Sequence, residues 1–278
     1  DHRDLHSFPT RRSSDLVQGN WSTAATSANA ARQGYSFMST AQHQDGYNQQ
    51  NNPENLWAHY VQEDQTLYFY SFYAQLSHNF NSSIIRQSPK SITKELYDKI
   101  SATDVRKTFW YPNAVADKQP FVQSNGVRFN YMNSKFKAVS TSDSRGDFPM
   151  IRVAEMYLIE AEALARQAGK EDQAKDVLFL LAKNRDPQYV RSTNTGQNLI
   201  NEILTQRRIE LWGEGRNWTD LKRLNLPLVR PVSGTAGQGA HVESFATVVN
   251  VPAGGNIWTW MIPRAEIDAN PNLEQNPA

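Results

Sequence analysis

Residues Gln197 to Leu226 constrain the fold more than any other stretch. Here the apolar side chains Ile200, Ile203, Leu204 and Leu211 recur at three-, four- and seven-residue steps and gather on one face of an α-helix. Arg207 falls within that stripe. A guanidinium keeps its proton, so placing it on a packed face demands a carboxylate, and Glu210 and Glu214 stand at helical spacing to supply one. Gly213 and Gly215 then break the pattern. A second short helix follows, with Trp218, Leu221 and Leu224 on one face and Asp220 within reach of Arg216 or Arg223.

Such an apolar face needs something to cover it. Asp147 to Leu164 predicts a helix with Pro149 in its first turn and a stripe through Ala154, Leu158, Ala161 and Ala165. After Gly169 another helix runs through Ala174, Leu178 and Leu181 and stops at Asp186-Pro187, a spacing close to the second half of a tetratricopeptide unit. One such unit cannot bury its own face, so the helices of Gln197 to Leu226 are its expected neighbours. Trp21 to Arg32, rich in alanine and followed by Gly34, predicts a further helix, and Ser91 begins another with Ile92, Leu96, Tyr97 and Ile100 on one side. A turn at Ser101 to Thr103 precedes Asp104 and Arg106, which read as a structural pair. A small hairpin is expected between Phe121 and Val139. The fold class is therefore mainly α, with helical pairs wrapped by long loops and minor β structure.

The loops carry the chemistry. Gln42 to Asn55 is full of Asn, Gln, Asp, Gly and Pro, whereas Leu67 to Phe80 is crowded with rings. Trp57, Tyr60, Tyr68, Phe69, Tyr70, Phe72, Tyr73 and Phe80 stand among Asn, Gln, His and Ser, a mixture suited to stacking sugar rings while hydrogen-bonding their hydroxyls. Packing of these rings in the interior is the competing reading. Trp57 and Tyr73, flanked by polar residues, are the leading carbohydrate-binding candidates, joined by Tyr60 and Tyr70. From Pro227 the chain turns rich in Gly, Pro and Ser for more than thirty residues, with a short strand expected within Val242 to Val251 and an extended tail over Trp258 to Pro277.

Glu155, Glu160, Glu162, Glu202, Glu210 and Glu214 raise the question of a hydrolytic acid and base pair. They alternate with Arg152, Arg166, Arg207, Arg208 and Arg216 along helices, so ion pairs between helices are the favoured reading and no catalytic residue is assigned. Glu155 and Glu162, seven apart, share a helix face, and at least one is expected to pair with Arg207 or Arg208. The structural ion-pair set is Arg152, Glu155, Glu162, Arg207, Glu210, Glu214, Arg216 and Asp220.

Composition narrows the remaining classes. A net charge of +1 gives no overall pull toward nucleic acid or an anionic membrane, and the absence of cysteine removes disulfides, thiolate metal sites and a cysteine nucleophile. His43, His59, His78 and His241 lack ligand spacing, no phosphate or dinucleotide loop occurs, and neither metal nor cofactor is expected. No apolar run has the length of a membrane span. Arg145-Gly146-Asp147 spells a cell-adhesion tripeptide but reads as a turn. Asp1 to Leu16 mixes charges and turn formers without periodicity and resembles translated sequencing-adapter read-through, so residues 1–16 are read as a non-native or disordered leader.

The run R-R-I-E-L-W-G-E-G-R-N-W-T-D-L-K-R-L resembles the C-terminal signature of the RagB/SusD family, surface glycan-binding lipoproteins that partner TonB-dependent transporters. Two more segments agree in order: R-V-A-E-M-Y-L-I-E-A-E-A-L-A from Arg152, and M-I-P-R-A-E-I-D-A-N-P-N-L-E-Q-N-P from Met261. The resemblance implies a SusD-like fold, with residues 17–278 as the C-terminal part of a longer domain. It implies binding of an oligosaccharide without catalysis, delivery to a SusC-like transporter, and a lipid anchor on a preceding part that holds the protein at the outer-membrane cell surface. A tetratricopeptide-like adaptor that binds peptide, and a glycoside hydrolase, are the alternatives.

Overall fold

The computed structural model describes residues 14–65, 68–120, 126–234, 238–242 and 248–276. It divides into two compact units, Asp1–Glu214 with Gly237–Gly239, and Gly215–Ala236 with Ala240–Ala278. None of the described helices is long and apolar enough to cross a membrane.

In the first unit four helices set the scaffold: α1 (Trp21–Arg32), α2 (Val153–Ala165), α3 (Glu171–Arg185) and α4 (Gly196–Glu210). Helix α2 lies at the centre because it is apolar on two sides. Its Met156, Ile159 and Ala163 pack on Ala24, Ala25 and Ala28 of α1, where small side chains permit close approach. The opposite side, Ala154, Leu158, Ala161 and Ala165, meets Ala174, Val177, Leu178 and Leu181 of α3 and Leu199, Ile200 and Ile203 of α4. The periods read from the sequence thus place the tetratricopeptide-like stack. Leu16 joins the α1 cluster and is buried, as is Asp15, so the expected leader boundary runs into the packed part at these two residues; residues 1–13 lie outside the described ones.

Helix α2 begins later than the sequence suggests. Phe148–Arg152 is a strand, β2, paired antiparallel with β1 (Asn55–His59) in the register Trp57↔Ile151 and His59↔Phe148. Pro149, expected in the first turn of a helix, sits instead in a strand of a two-stranded ribbon, where its missing N–H is tolerated. The helix predicted from Ser91 contracts to Lys94–Asp98, capped by the Thr93 hydroxyl accepting from the Leu96 N–H at 3.4 Å. Met132–Asn133 pairs with Trp110–Tyr111 rather than within a hairpin of its own, and residues 121–125 lie outside the described ones.

A third cluster fills the space beneath the loops, formed by Met38, Tyr47, Tyr73, Phe80, Ile92, Phe109, Trp110 and Phe136 among others. Two glycines allow its close approaches. A Cβ on Gly146 would stand 2.4 Å from the Tyr73 ring, and one on Gly213, at φ +77, would stand 2.6 Å from Phe136. The tripeptide at Arg145 is therefore a packing device. Gly146→Ala is expected to cost about 1–3 kcal/mol, read as a lowered urea midpoint with an unchanged slope.

The second unit holds α5 (Arg216–Arg223), in which Asp220 pairs with Arg223 at 2.8 Å, and the Trp218 ring stacks on Trp258 at 4.6 Å. Short pairings join Leu228–Val229 to Asn250–Val251, and Val232–Ser233 to His241–Val242. The tail departs from the extended form expected: Asn256–Trp258 is a 3₁₀ turn and α6 (Arg264–Ala269) is helical. Gln275 clips this segment, accepting from the Ile262 N–H and donating to its carbonyl.

Candidate functional site

Beneath the loops of the first unit lies a buried ionic cluster, and it fixes where those loops can go. Arg152, at the end of β2, donates to Glu54 at 2.8 Å, Glu210 at 3.0 Å and Glu214 at 2.7 Å. Arg185, at the C-terminus of α3, reaches Glu54 at 2.6 Å and Glu210 at 3.1 Å. Arg106 bonds Asp104 at 2.6 Å and Glu210 at 3.2 Å. The Lys135 ammonium spends its three hydrogens on the carbonyls of Glu210 and Trp212 and the carboxylate of Glu214. Four cations thus face four carboxylates.

The electrostatics follow. Burial opposes the charged form of Glu210, but the guanidiniums of Arg185, Arg152 and Arg106 outweigh it and hold the carboxyl well below its ordinary range. Glu214 is lowered in the same way against its burial, by Arg152 and Lys135. Burial pushes the Lys135 ammonium down, with Glu214 opposing. Beside this cluster His43 is buried, its Nδ1 within 2.8 Å of the Tyr47 hydroxyl, and burial together with Arg185 lowers it to about 2. His43 is a neutral imidazole throughout the physiological range.

Three more expected members, Arg207, Glu155 and Glu162, pair between and along the helices. Arg207 bonds Glu155 at 3.0 Å, a pair between α4 and α2 and one of the pairings expected of Glu155 and Glu162. Glu162 pairs with Arg166 at 2.9 Å and Glu160 with Arg32 at 2.6 Å. Glu54, Arg185, Lys135 and the pair of Asp104 with Arg106 complete the central cluster and lie outside that set. Only the Asp104-x-Arg106 spacing signalled one of them; Glu54 lies in a loop composition and Lys135 beside Phe136, where helical periodicity says nothing.

Over this core runs the aromatic segment. Trp57 and Tyr60 are each 52% exposed, Tyr68 and Phe69 about half, and Tyr70 80%. Tyr68 and Phe69 meet edge-to-face at 4.5 Å and both rest against Phe80, at 5.5 and 6.0 Å. The Ser144 hydroxyl donates to the Tyr68 carbonyl and Ser71 donates back to the Ser144 carbonyl at 3.0 Å. Asp147 accepts from the N–H groups of Val61 at 3.0 Å and Gln50 at 2.8 Å. These bonds and the β1–β2 pairing tie residues 57–65 and 68–71 to residues 140–148 as one surface. Tyr73 is not part of it: the ring is 1% exposed, packed against Gly146, and its hydroxyl donates to the carbonyls of Tyr47 at 2.6 Å and Asp147 at 2.9 Å. The ring points into the core, out of reach of a ligand on the surface, and Tyr73 acts in packing instead. Among the described residues no group of His, Asp and Glu side chains is arranged to hold a metal ion.

A helical-repeat scaffold topped by an aromatic loop surface defines the class. The chain belongs to the SusD family, whose model matches residues 10–278. A SusD-like protein, P38, from Formosa agariphila is 34% identical over 113 residues, covering 36% of this chain and 22% of that protein. Among solved structures, a SusD-like carbohydrate-binding protein from Bacteroides vulgatus ATCC 8482 is 25% identical with a TM-score of 0.68, over 81% of this chain and 46% of that one. Surface glycan-binding protein A from Bacteroides thetaiotaomicron shares the fold at 18% identity, TM-score 0.67, over 99% of this chain and 63% of that one. The chain thus spans about a fifth of the curated relative and about half to two thirds of these structures.

Proposed function

We propose that this chain forms the oligosaccharide-binding part of a SusD-like protein, which captures glycan at the outer-membrane surface and passes it, chemically unchanged, to a SusC-like TonB-dependent transporter. In this reading the protein is tethered at the cell surface by a lipid anchor. The observation that carries the binding site is the division of labour in the first unit. Trp57, Tyr60 and Tyr70 are exposed on a surface pinned by backbone and serine hydrogen bonds, while the carboxylates of Glu54, Glu210 and Glu214 are spent on buried cations. Rings held open to solvent stack on pyranose faces at modest affinity, which release to a transporter requires. Carboxylates neutralised inside a core have no bond to cleave, which supports a non-catalytic role.

Affinity electrophoresis and a glycan array test this directly. Trp57→Ala and Tyr70→Ala are each expected to weaken binding about tenfold. Tyr73→Phe is expected to lower stability and leave affinity intact; unchanged binding in both ring deletions moves the site elsewhere. One observation favours a second reading. A groove of about 580 Å³ between α1, α2 and α3, lined by Ala25, Asn29, Leu164, Gln173, Val177 and Leu180, has the concave form that seats a peptide in helical repeats. Binding of peptides from a random library that Leu180→Lys abolishes would support the adaptor instead.

A further inference from the structure

The aromatic surface carries an uneven charge. Across residues 55–70 and 140–148 the carboxylates are Glu63, Asp64, Asp143 and Asp147 and the only permanent cation is Arg145. That cation is partly neutralised: its Nε donates to Asp143 at 2.6 Å and its Nη1 lies 3.4 Å from Glu63. Asp143 is held in turn by the Arg145 N–H at 2.9 Å, so the clasp is closed from both ends. The Glu63 side chain stands 86% exposed, and Asp64 beside it is exposed as well.

Recognition of an anionic sugar, a uronate or a sulfate ester, is favoured by net positive charge near the stacking ring and opposed by a surplus of carboxylates. Here the one guanidinium of these two segments is shared between Asp143 and Glu63, and four carboxylates outnumber it, so the segments carry surplus negative charge. Resting on the glycan-binding reading above, we infer that the ligand of this surface is an uncharged oligosaccharide and that the carboxylate rim of Glu63, Asp64 and Asp143 discriminates against acidic ones.

Titration calorimetry of the 278-residue chain decides it, using neutral hexamers of glucose, galactose, mannose and xylose against hexamers of galacturonate and mannuronate and a sulfated galactan. At low ionic strength the best neutral ligand is expected to bind at least about tenfold tighter than any acidic one, with the gap shrinking at high salt. The double variant Glu63→Gln/Asp64→Asn is expected to narrow that ratio in favour of the acidic hexamers. Acidic ligands that bind as tightly as neutral ones to the unmodified chain overturn the inference while leaving the glycan-binding reading intact. A ratio unmoved by the double variant overturns the role of the rim. Failure of every neutral and acidic ligand to bind overturns the glycan-binding reading and this inference together.

Discussion

Glu210→Gln is expected to cost about 3–5 kcal/mol, measured as the change in unfolding free energy in urea. The carboxylate accepts from three guanidiniums, those of Arg106, Arg152 and Arg185, all essentially inaccessible to water. An amide of the same shape keeps the packing but leaves one uncompensated positive charge in the interior, and that charge has no route to solvent. Against a typical stability of about 5–15 kcal/mol the variant stands near the limit of folding. Glu95→Gln is the matched control. Its partner Lys99 and the carboxylate are both well exposed, so the change is expected within about 0.5 kcal/mol. Equal losses in the two variants would show that burial is not what makes Glu210 important.

Stability is expected to fall as pH drops from about 6.5, well before carboxylates begin to titrate. His43 is lowered to about 2 by burial and then Arg185, and His78 to about 4 by burial and then Lys137. The sign is fixed by proton counting. Below about 6.5 the unfolded chain takes up protons on both imidazoles while the folded chain takes up none, so acid favours unfolding. The loss begins at the unfolded value near 6.5 and continues to about 4 for His78 and about 2 for His43. Two protons give a slope approaching ~2.7 kcal/mol per pH unit, hence up to ~4 kcal/mol lost by pH 5. Glu210 and Glu214 add to it at lower pH, since their folded values lie below the ordinary carboxylate range. Urea midpoints flat between pH 7 and 5 would mean that neither imidazole is buried in its neutral form.

Much of the scaffold was legible because helices announce themselves through spacing. The stripe of Ala154, Leu158, Ala161 and Ala165, and the Glu155 and Arg207 that join α2 to α4, follow from a period that sequence displays directly. What escaped was contact between distant irregular segments. Glu54 and Lys135 have no periodic context, and only the folded chain brings them to Arg152 and Glu214. Pro149 satisfied a helix-start pattern and a ribbon strand equally well, and pairing with β1 decided it. The site shows the same limit. Trp57, Tyr60 and Tyr70 face water, whereas Tyr73, with similar polar flanks, turns inward because Gly146 leaves room for its ring. Flanking composition reports that a segment is near the surface, not which way each ring points.

The buried charges also say something about how the molecule assembles. Glu54 and Arg185, 131 residues apart, both leave water to meet, and Arg152 and Glu210 supply further bonds that offset the desolvation of the two charges. The junction is therefore expected to close as a unit, the irregular segments docking on the helices together. The ring-bearing surface above it is expected to share that cooperativity, so that glycan binding and hydrogen-exchange protection of the junction are lost at the same denaturant concentration.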